Sequence, residues 1–569
     1  MNTLTKKLFL LFTLSSLGVF AQDRSSFIET IGTKNVWVDA TFKKMSRRER
    51  IAQLFMVRAH TDKGQAFEDS IAQVIQKERI GGLVFFQGGP ARQAALINRY
   101  QSLSKVPLFI AMDAEWGLGM RLDSTISYPY QMTLGAIQNN VLIEKMGQQT
   151  ATDLKRMGVH VNFAPVVDIN NNPKNPVIGF RSFGDNKYNV TAKAGAYMKG
   201  LQGEGVLISL KHFPGHGDTD VDSHLDLPLL PFDRKRLDSL ELYPFRELIK
   251  QGASGVMSAH INIPALDTTA HVPATLSKPV ITDILRGELG FKGLVVSDAM
   301  EMKGVVKYFP NGEADVRAII AGNDLIELSE DTQRAIKLIR KAIRQRKLTW
   351  NWINERTKKV LAAKYWLGLN TFKPIQVENI VDDLNHQEAF ELNQQLADAA
   401  VTVLGDSLLK ALDFSKRTAI ISLGTQSSNL FQAMLKPRFK KSVTFILPKN
   451  ASSVDIASLK GQLKDFKQVI VSISDMRRRP WSKLDYSIDL KLFIADLAKM
   501  NNSVISVFAN PYVLTGLPGI EQCKTILMNY QQSDEMQIAA ARVILGQLKA
   551  QGKLPVTINT FFKYGDGSN

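Results

Sequence analysis

Residues 211–224 read KHFPGHGDTDVDSH, a short span holding His212, His216 and His224 together with Asp218, Asp220, Asp222 and Lys211. Three chemistries suit such a set. A metal site would use the imidazoles and carboxylates as zinc or calcium ligands. An acid/base device would let one histidine deliver a proton while an adjacent aspartate orients it. A structural turn would spend the same groups on local hydrogen bonds. Spacing does not choose among the three. Gly215 and Gly217 permit sharp bends, so the segment can fold over the mouth of a barrel.

A further acid stands in a different setting. Asp298 directly follows the apolar run GLVVS at 293–297. An acid at the end of a buried strand is placed at the carboxyl face of a parallel sheet, where active sites gather. A helix N-cap is the plain alternative. Other polar residues trail other apolar runs. Asp113, Glu115 and Arg121 lie in MDAEWGLGMR, and Asp168, Asn170 and Asn171 follow FAPVV. Arg181 lies in VIGFRSFGD and His260 in MSAHI. Carboxylates that accept from sugar hydroxyls, with Arg and Lys contacting sugar oxygens, would account for such a ring. Trp116 suits either stacking on a sugar or packing in a core.

The elements that must carry these residues are legible as alternation. Apolar segments at 51–57, 80–86, 108–114, 161–168, 207–211, 255–261, 293–298 and 324–328 read as strands. Helical patterns at 91–102, 142–157, 190–200, 232–251, 314–320 and 332–346 lie between them. Eight strands with intervening helices predict an α/β fold, a (β/α)8 TIM-like barrel over 22–370. An open doubly wound sheet is the alternative. The polar residues favour the barrel, because they recur after many strands and do not gather at one switch point. Residues 371–410 read as a linker. A smaller open α/β sandwich domain is predicted over 411–555, with strands at 417–423, 442–447, 469–474, 503–510 and 525–529. Residues 556–569 read as a polar tail with little core content.

At the N-terminus, Lys6 and Lys7 precede the apolar run 8–20, and Val19 and Ala21 suit signal-peptidase cleavage. This predicts a signal peptide over 1–21 and export to the periplasm or envelope, or secretion. A membrane anchor is the alternative, but the run is short for one. No other stretch suits a span, so the mature chain is expected to lack a transmembrane segment. The single cysteine, Cys523, excludes an intrachain disulfide. The formal charge is +17, from 71 basic and 54 acidic residues. No nucleic-acid-binding motif accompanies that charge, and no nucleic-acid partner is expected. A basic surface also favours anionic envelope polymers. Nothing in the sequence sets an oligomeric state.

Four of these motifs, MDAEWGLGMR, FAPVVDINNNPKNPVIGFRSFGD, KHFPGHGDTDVDSH and VVSDAMEM, occur in this order within residues 40–370. Together they resemble the glycoside hydrolase family 3 β-N-acetylglucosaminidases (β-N-acetylhexosaminidases), and the two-domain layout resembles the longer bacterial envelope forms. The resemblance implies that Asp298 is the nucleophile and His224 the general acid/base, oriented by Asp222. This dyad stands in for the distal glutamic acid of other branches. It implies that Asp113 binds the outer hydroxyls of the non-reducing sugar. Arg121, Arg181, Lys211 and His212 would hold the sugar and its N-acetyl group, while His216 and Asp218 shape the loop. The implied reaction is retaining hydrolysis of terminal β-linked N-acetylglucosamine, on peptidoglycan fragments or chitooligosaccharides, with no cofactor and no metal. A glycoside phosphorylase, a β-glucosidase-type member and a non-enzymatic cell-wall sugar-binding protein are the alternatives. One departure stands out. The family run Asp-Gln-Glu-Gly-Gly-Arg is here Asp113, Ala114, Glu115, Trp116, Gly117, Leu118, so the nearer arginine is missing and Arg121 keeps the farther one.

Overall fold

The computed structural model describes residues 26–405, 408–478 and 484–568. The predicted leader at 1–21 lies outside them. The first part of the chain is built on short parallel strands. They are β1 (Phe55–Ala59), β2 (Gly82–Phe85), β3 (Phe109–Met112), β4 (Val161–Asn162), β5 (Leu207–Ile208), β6 (Leu210–Phe213), β7 (Gly255–Ser258), β8 (Leu294–Ser297) and β9 (Ile326–Glu327). One sheet has the order β5-β4-β3-β2-β1-β9 and the other β6-β7-β8. Only Ser209 separates β5 from β6, and the former pairs with β4 while the latter pairs with β7. A single bridge, Val296 to Leu325, joins β8 to the approach of β9.

The strands β2, β3, β7 and β8 are buried at every position. That is why GLVF, FIAM, GVMS and LVVS read as continuous runs and not as alternation: both faces of each strand are covered. The covering helices follow their sequence signals. Helix Thr332–Arg344 begins where the Asp331 side chain accepts from the Arg334 amide, and it buries Ala335, Ile336, Ile339 and Ala342 on one stripe. The expected strand at 51–57 starts late, because the Ser46–Glu49 capping box draws Arg47–Ala52 into a helix. The expected helix at 232–251 is two helices, Arg234–Ser239 and Tyr243–Lys250, the second carrying Pro244 in its first turn. Of the expected strand 161–168 only Val161–Asn162 pairs regularly.

A second sheet follows, made of β10 (Thr402–Leu404), β11 (Arg417–Leu423), β12 (Lys441–Leu447), β13 (Gln468–Ser474), β14 (Ser503–Phe508) and β15 (Ile526–Met528). Its order is β10-β15-β14-β13-β11-β12, with β10 antiparallel to β15 and the other neighbours parallel. Strand β10 falls inside the stretch read as a linker. Helix Gln387–Ala400, which buries Leu392, Leu396 and Ala397, falls there too. The last residues depart from expectation as well. Leu554 and Val556 are fully buried and Phe562 is nearly so. The Lys553 amide donates to the Ala136 carbonyl, the Asp185 amide to the Pro555 carbonyl, and the Ser568 amide to the Val403 carbonyl. Apolar residues scattered among turns carry no period, so their burial leaves no pattern to read. Among the described residues no helix is long and apolar enough to cross a membrane.

One buried acid makes stability depend on pH. Asp315 is 2 % exposed; Ser329 donates to one of its oxygens and the other has no partner. Burial pushes its carboxyl up to about 7. A folded-state value above the unfolded one favours the protonated form in the fold. The contribution is therefore fully present below about 4 and is lost as pH rises through about 7. At about 1.4 kcal/mol per unit, the loss is a few kcal/mol. Asp315→Asn is expected to raise the melting temperature at pH 8 and to flatten its decline between pH 4 and 8. An unchanged slope in thermal melts across that range would refute the assignment.

Candidate active site

Strand ends on the same face bring the charged residues together. Asp113 and Glu115 follow β3, Lys211 and His212 lie on β6, and Asp298 follows β8. Asp168 follows β4 just beyond Val166, which bridges to Lys211. Lys211 is buried, with its ammonium 2.7 Å from Asp113 Oδ1 and 2.8 Å from Glu115 Oε1. Arg121 reaches back to the other Asp113 oxygen. Arg181 donates to Glu115 through Nε at 3.0 Å and Nη2 at 2.6 Å. Two carboxylates thus share three cations. Burial alone would raise both carboxyls. The Lys211 and Arg121 charges hold Asp113 well below the carboxylate range, and Arg181 with Lys211 holds Glu115 at about 2. Burial likewise opposes charge on Arg181 and Lys211, and the carboxylates reverse it, raising both.

Such a network is costly to break from one side, because the remaining charges stay buried. Lys211→Ala is expected to cost about 3–5 kcal/mol of stability. Denaturant midpoints check the effect. A midpoint within error of the parent would show that the pairs are solvent-screened.

His212 is fixed from behind. Its Nδ1 lies 2.7 Å from Asp168 Oδ2, and the amides of His212 and His216 donate to Asp168 Oδ1 at 3.1 and 2.7 Å. The His212 Nε2 faces an Arg181 nitrogen at 3.5 Å. Burial opposes ionisation of Asp168, and His212 and the His216 amide outweigh it, keeping the carboxyl low. Ser182 Oγ ties the same turn down, donating to the carbonyls of Asp168 at 2.6 Å and Gly184 at 2.9 Å.

Beyond β6 the loop turns tightly. A Cβ on Gly217 would sit 1.8 Å from the Ile169 carbonyl oxygen, so only glycine passes there. His216 Nδ1 lies 2.7 Å from Thr219 Oγ1, and Asp218 pairs with Arg236 at 2.9 Å. Asp222 and His224 come next. Asp222 Oδ1 lies 2.8 Å from His224 Nδ1 and accepts the His224 amide at 2.9 Å. The His224 side chain is 65 % exposed and Asp222 13 %. The hydrogen bond from Asp222 raises the imidazole above its ordinary value. Of the residues weighed as metal ligands, His212 is held by Asp168, His216 by Thr219, Asp218 by Arg236, and Asp222 and His224 by each other. Among the described residues no three His, Cys, Asp or Glu side chains are grouped to hold one ion.

Asp298 begins beyond β8, its amide bonded to the Ser258 carbonyl and its Oδ1 accepting from the Ala299 amide at 2.8 Å. Burial opposes its charge, and His260 and His212 overcome that, so the carboxyl sits below its usual value. His260 is itself held, with Nε2 3.0 Å from the Ala299 carbonyl and Nδ1 2.9 Å from Thr275 Oγ1.

Burial decides two further positions. Trp116 is 5 % exposed and packs edge-on to Tyr130 at 4.9 Å and against Phe180 at 5.8 Å, so it belongs to the wall behind the pocket. Glu327, absent from the residues singled out above, ends β9 at 4 % exposure, and its Oε2 is shielded without a partner. Burial, with Asp113 and Asp298 nearby, raises its carboxyl well above the ordinary range. The available signal was an acid inside the apolar run 325–328.

A buried carboxyl at the end of β8, an imidazole–carboxylate pair on another loop and paired charges around Lys211 are groups of the kind that can cleave a glycoside. Residues 46–363 match the model described as the glycosyl hydrolase family 3 N terminal domain, and the chain belongs to that family. It is 30% identical over 556 residues to "Beta-hexosaminidase A" of Pseudoalteromonas piscicida, covering 86% of this chain and 91% of the relative. Among solved structures it is similar to a glycoside hydrolase family 3 beta-N-acetylglucosaminidase from Paenibacillus sp. str. FPU-7. That match has a TM-score of 0.74 and 29% identity over 90% of this chain and 99% of the other. A beta-glucoside phosphorylase shares the fold at TM-score 0.77 and 23% identity, over 93% of this chain and 96% of that one.

Proposed function

We propose that this chain is a retaining exo-glycosidase that hydrolyses terminal non-reducing β-linked N-acetylglucosamine through a covalent glycosyl–Asp298 ester. The observation that carries the reading is the opposed tuning of two groups: Asp298 is held ionised, while Asp222 holds His224 toward its protonated form. A nucleophile and an acid need those two states at one pH. In the first step an Asp298 oxygen attacks the anomeric carbon. The glycosidic C–O bond breaks and the His224 Nε2 proton passes to the leaving oxygen. In the second, Nε2 takes a proton from water, the water oxygen bonds to the anomeric carbon, and Asp298 leaves as carboxylate. Asp113, Arg121, Arg181, Lys211 and His212 bind the sugar and its acetamido group. Because His224 is exposed, the loop closes over bound sugar and excludes water in this scheme. No cofactor or metal takes part.

In the same reading the parallel strands form one closed (β/α)8 ring, with β5 and β6 as a single strand position, and the second sheet belongs to a separate smaller domain. The basic, leader-like residues 1–21 support export to the periplasm or envelope, and export favours peptidoglycan fragments over chitin as substrate.

Asp222→Asn tests the dyad by pH. It replaces the carboxylate that raises His224 by a neutral amide, so the alkaline limb of kcat/KM is expected to move to lower pH. An unmoved limb would detach Asp222 from the acid. The activity itself is tested on an aryl β-N-acetylglucosaminide, a chitin disaccharide and a peptidoglycan disaccharide, each with and without phosphate. Free N-acetylglucosamine at a phosphate-independent rate is the expected product. A sugar 1-phosphate would make the chain a phosphorylase, and no release from any of the three would overturn the reading.

A further inference from the structure

A cavity of about 390 Å3 lies between the barrel loops and the second sheet, and none of the residues assigned to catalysis or sugar binding lines it. On one side stand Tyr130 and Phe180, from the loops that follow β3 and β4. On the other stand Asp475, Asn510 and Gln532, just past the carboxyl ends of β13, β14 and β15. Open parallel sheets bind ligands at that edge. The two sides are fastened together: Gln531 Oε1 accepts from the Tyr130 amide and from Thr133 Oγ1, each at 2.9 Å. The cavity is therefore a fixed feature of the seam.

Its polar lining is incomplete. Asn510 is 7 % exposed; its Oδ1 accepts from the Tyr512 amide, while its Nδ2 has no partner. Gln532 Oε1 is shielded from solvent and has none either. A buried unpaired donor and a buried unpaired acceptor each carry a desolvation cost. One ligand group satisfies both kinds at once: a hydroxyl, which donates and accepts. The lining carries Asp475 and Glu535 against Arg477 and Arg478; Arg477 pairs with Asp475, and the Arg478 guanidinium lies 5.2 Å from the Tyr130 ring centroid. The walls are aromatic, with Tyr130 and Phe180 edge to face at 5.0 Å and Phe390 46 % exposed. Aromatic faces with a few uncharged donors and acceptors match the alternating apolar and hydroxyl faces of a sugar ring.

We propose that this seam cavity is a second saccharide site, binding a hydroxyl-rich ring other than the one that is cleaved. The proposal rests on the glycosidase reading for its substrate but not for its geometry. The ring belongs either to a distal unit of the substrate or to a separate glycan chain. Phe180, in the cavity lining, adjoins Arg181 in the chain and packs against Trp116, which adjoins Glu115.

The test uses the full chain and the variants Phe390→Ala and Asn510→Leu, the first being a surface truncation that leaves folding intact. Thermal melts accompany both. Three readouts are taken: hydrolysis of an aryl N-acetylglucosaminide, KM for the chitin trisaccharide, and direct calorimetric binding of that trisaccharide to Asp298→Asn protein with and without the cavity substitutions. If a distal substrate unit binds, KM for the trisaccharide rises at least about fivefold in both variants, while aryl hydrolysis stays within about twofold. If a separate glycan binds, KM is unchanged, but a second calorimetric binding event is present in the parent and lost in the variants. Unchanged KM together with unchanged calorimetry overturns the proposal. Failure of the parent to cleave the aryl, chitin and peptidoglycan substrates alike would instead refute the glycosidase reading, and the calorimetry would still decide the cavity.

Discussion

Asp298→Ala is expected to lower kcat on an aryl β-N-acetylglucosaminide by at least about four orders of magnitude, the scale on which removal of a covalent nucleophile is felt. The loss is chemical and not structural. Among the described residues Asp298 bonds its surroundings through its backbone amide and its side chain accepts only from the neighbouring Ala299 amide, so the melting temperature is expected to stay close to that of the parent. Added azide gives a diagnostic product. With the carboxylate gone, azide enters from the face Asp298 occupied and yields the α-glycosyl azide. Near-normal turnover in the alanine variant, or a β-azide from it, would remove Asp298 from the mechanism.

His224→Ala separates the two steps by leaving group. General acid catalysis is worth roughly 10²–10⁴, and it is needed only where the departing oxygen is basic. On a natural disaccharide the variant is expected to lose that full factor. On a dinitrophenyl glycoside, whose leaving group needs no proton, formation of the glycosyl ester proceeds and its hydrolysis becomes limiting. Azide then intercepts the ester and gives the β-azide, the opposite anomer to the one expected from Asp298→Ala. The side chain is 65 % exposed, so its truncation leaves the fold alone. Equal losses on both substrates would sink the acid role.

How far such residues can be found without coordinates depends on whether their partners are near in sequence. Asp298 was visible because an acid after an apolar run marks a strand end, and Asp222 and His224 because they share one short segment. Asp168 and Glu115 stood out only as polar residues. Their roles as anchors for His212 and for Lys211 with Arg181 depend on pairings across other strands. Glu327 escaped because β9 is two residues long and its acid sits among leucine and isoleucine. Trp116 looked equally fit for ligand or core, and burial decides for the core. The same distinction explains the fold. Parallel strands buried on both faces announce themselves as apolar runs. Strand β10 does not, since it is defined by antiparallel pairing with residues 526–528, far along the chain.

The final residues deserve to be counted with the pocket. The Thr557 amide donates to Asp185 Oδ2 at 2.7 Å, beside the Pro555 carbonyl that accepts the Asp185 amide. Asp185 adjoins Gly184, whose carbonyl shares Ser182 Oγ with that of Asp168, and Asp168 sets the His212 ring. The terminus is therefore a clasp on the pocket proposed to hold the sugar. Residues 546, 547, 549 and 551, just ahead of it, are exposed. A protease that nicked the chain there would leave every assigned catalytic side chain covalently in place, and would still be felt as weaker hold on the sugar.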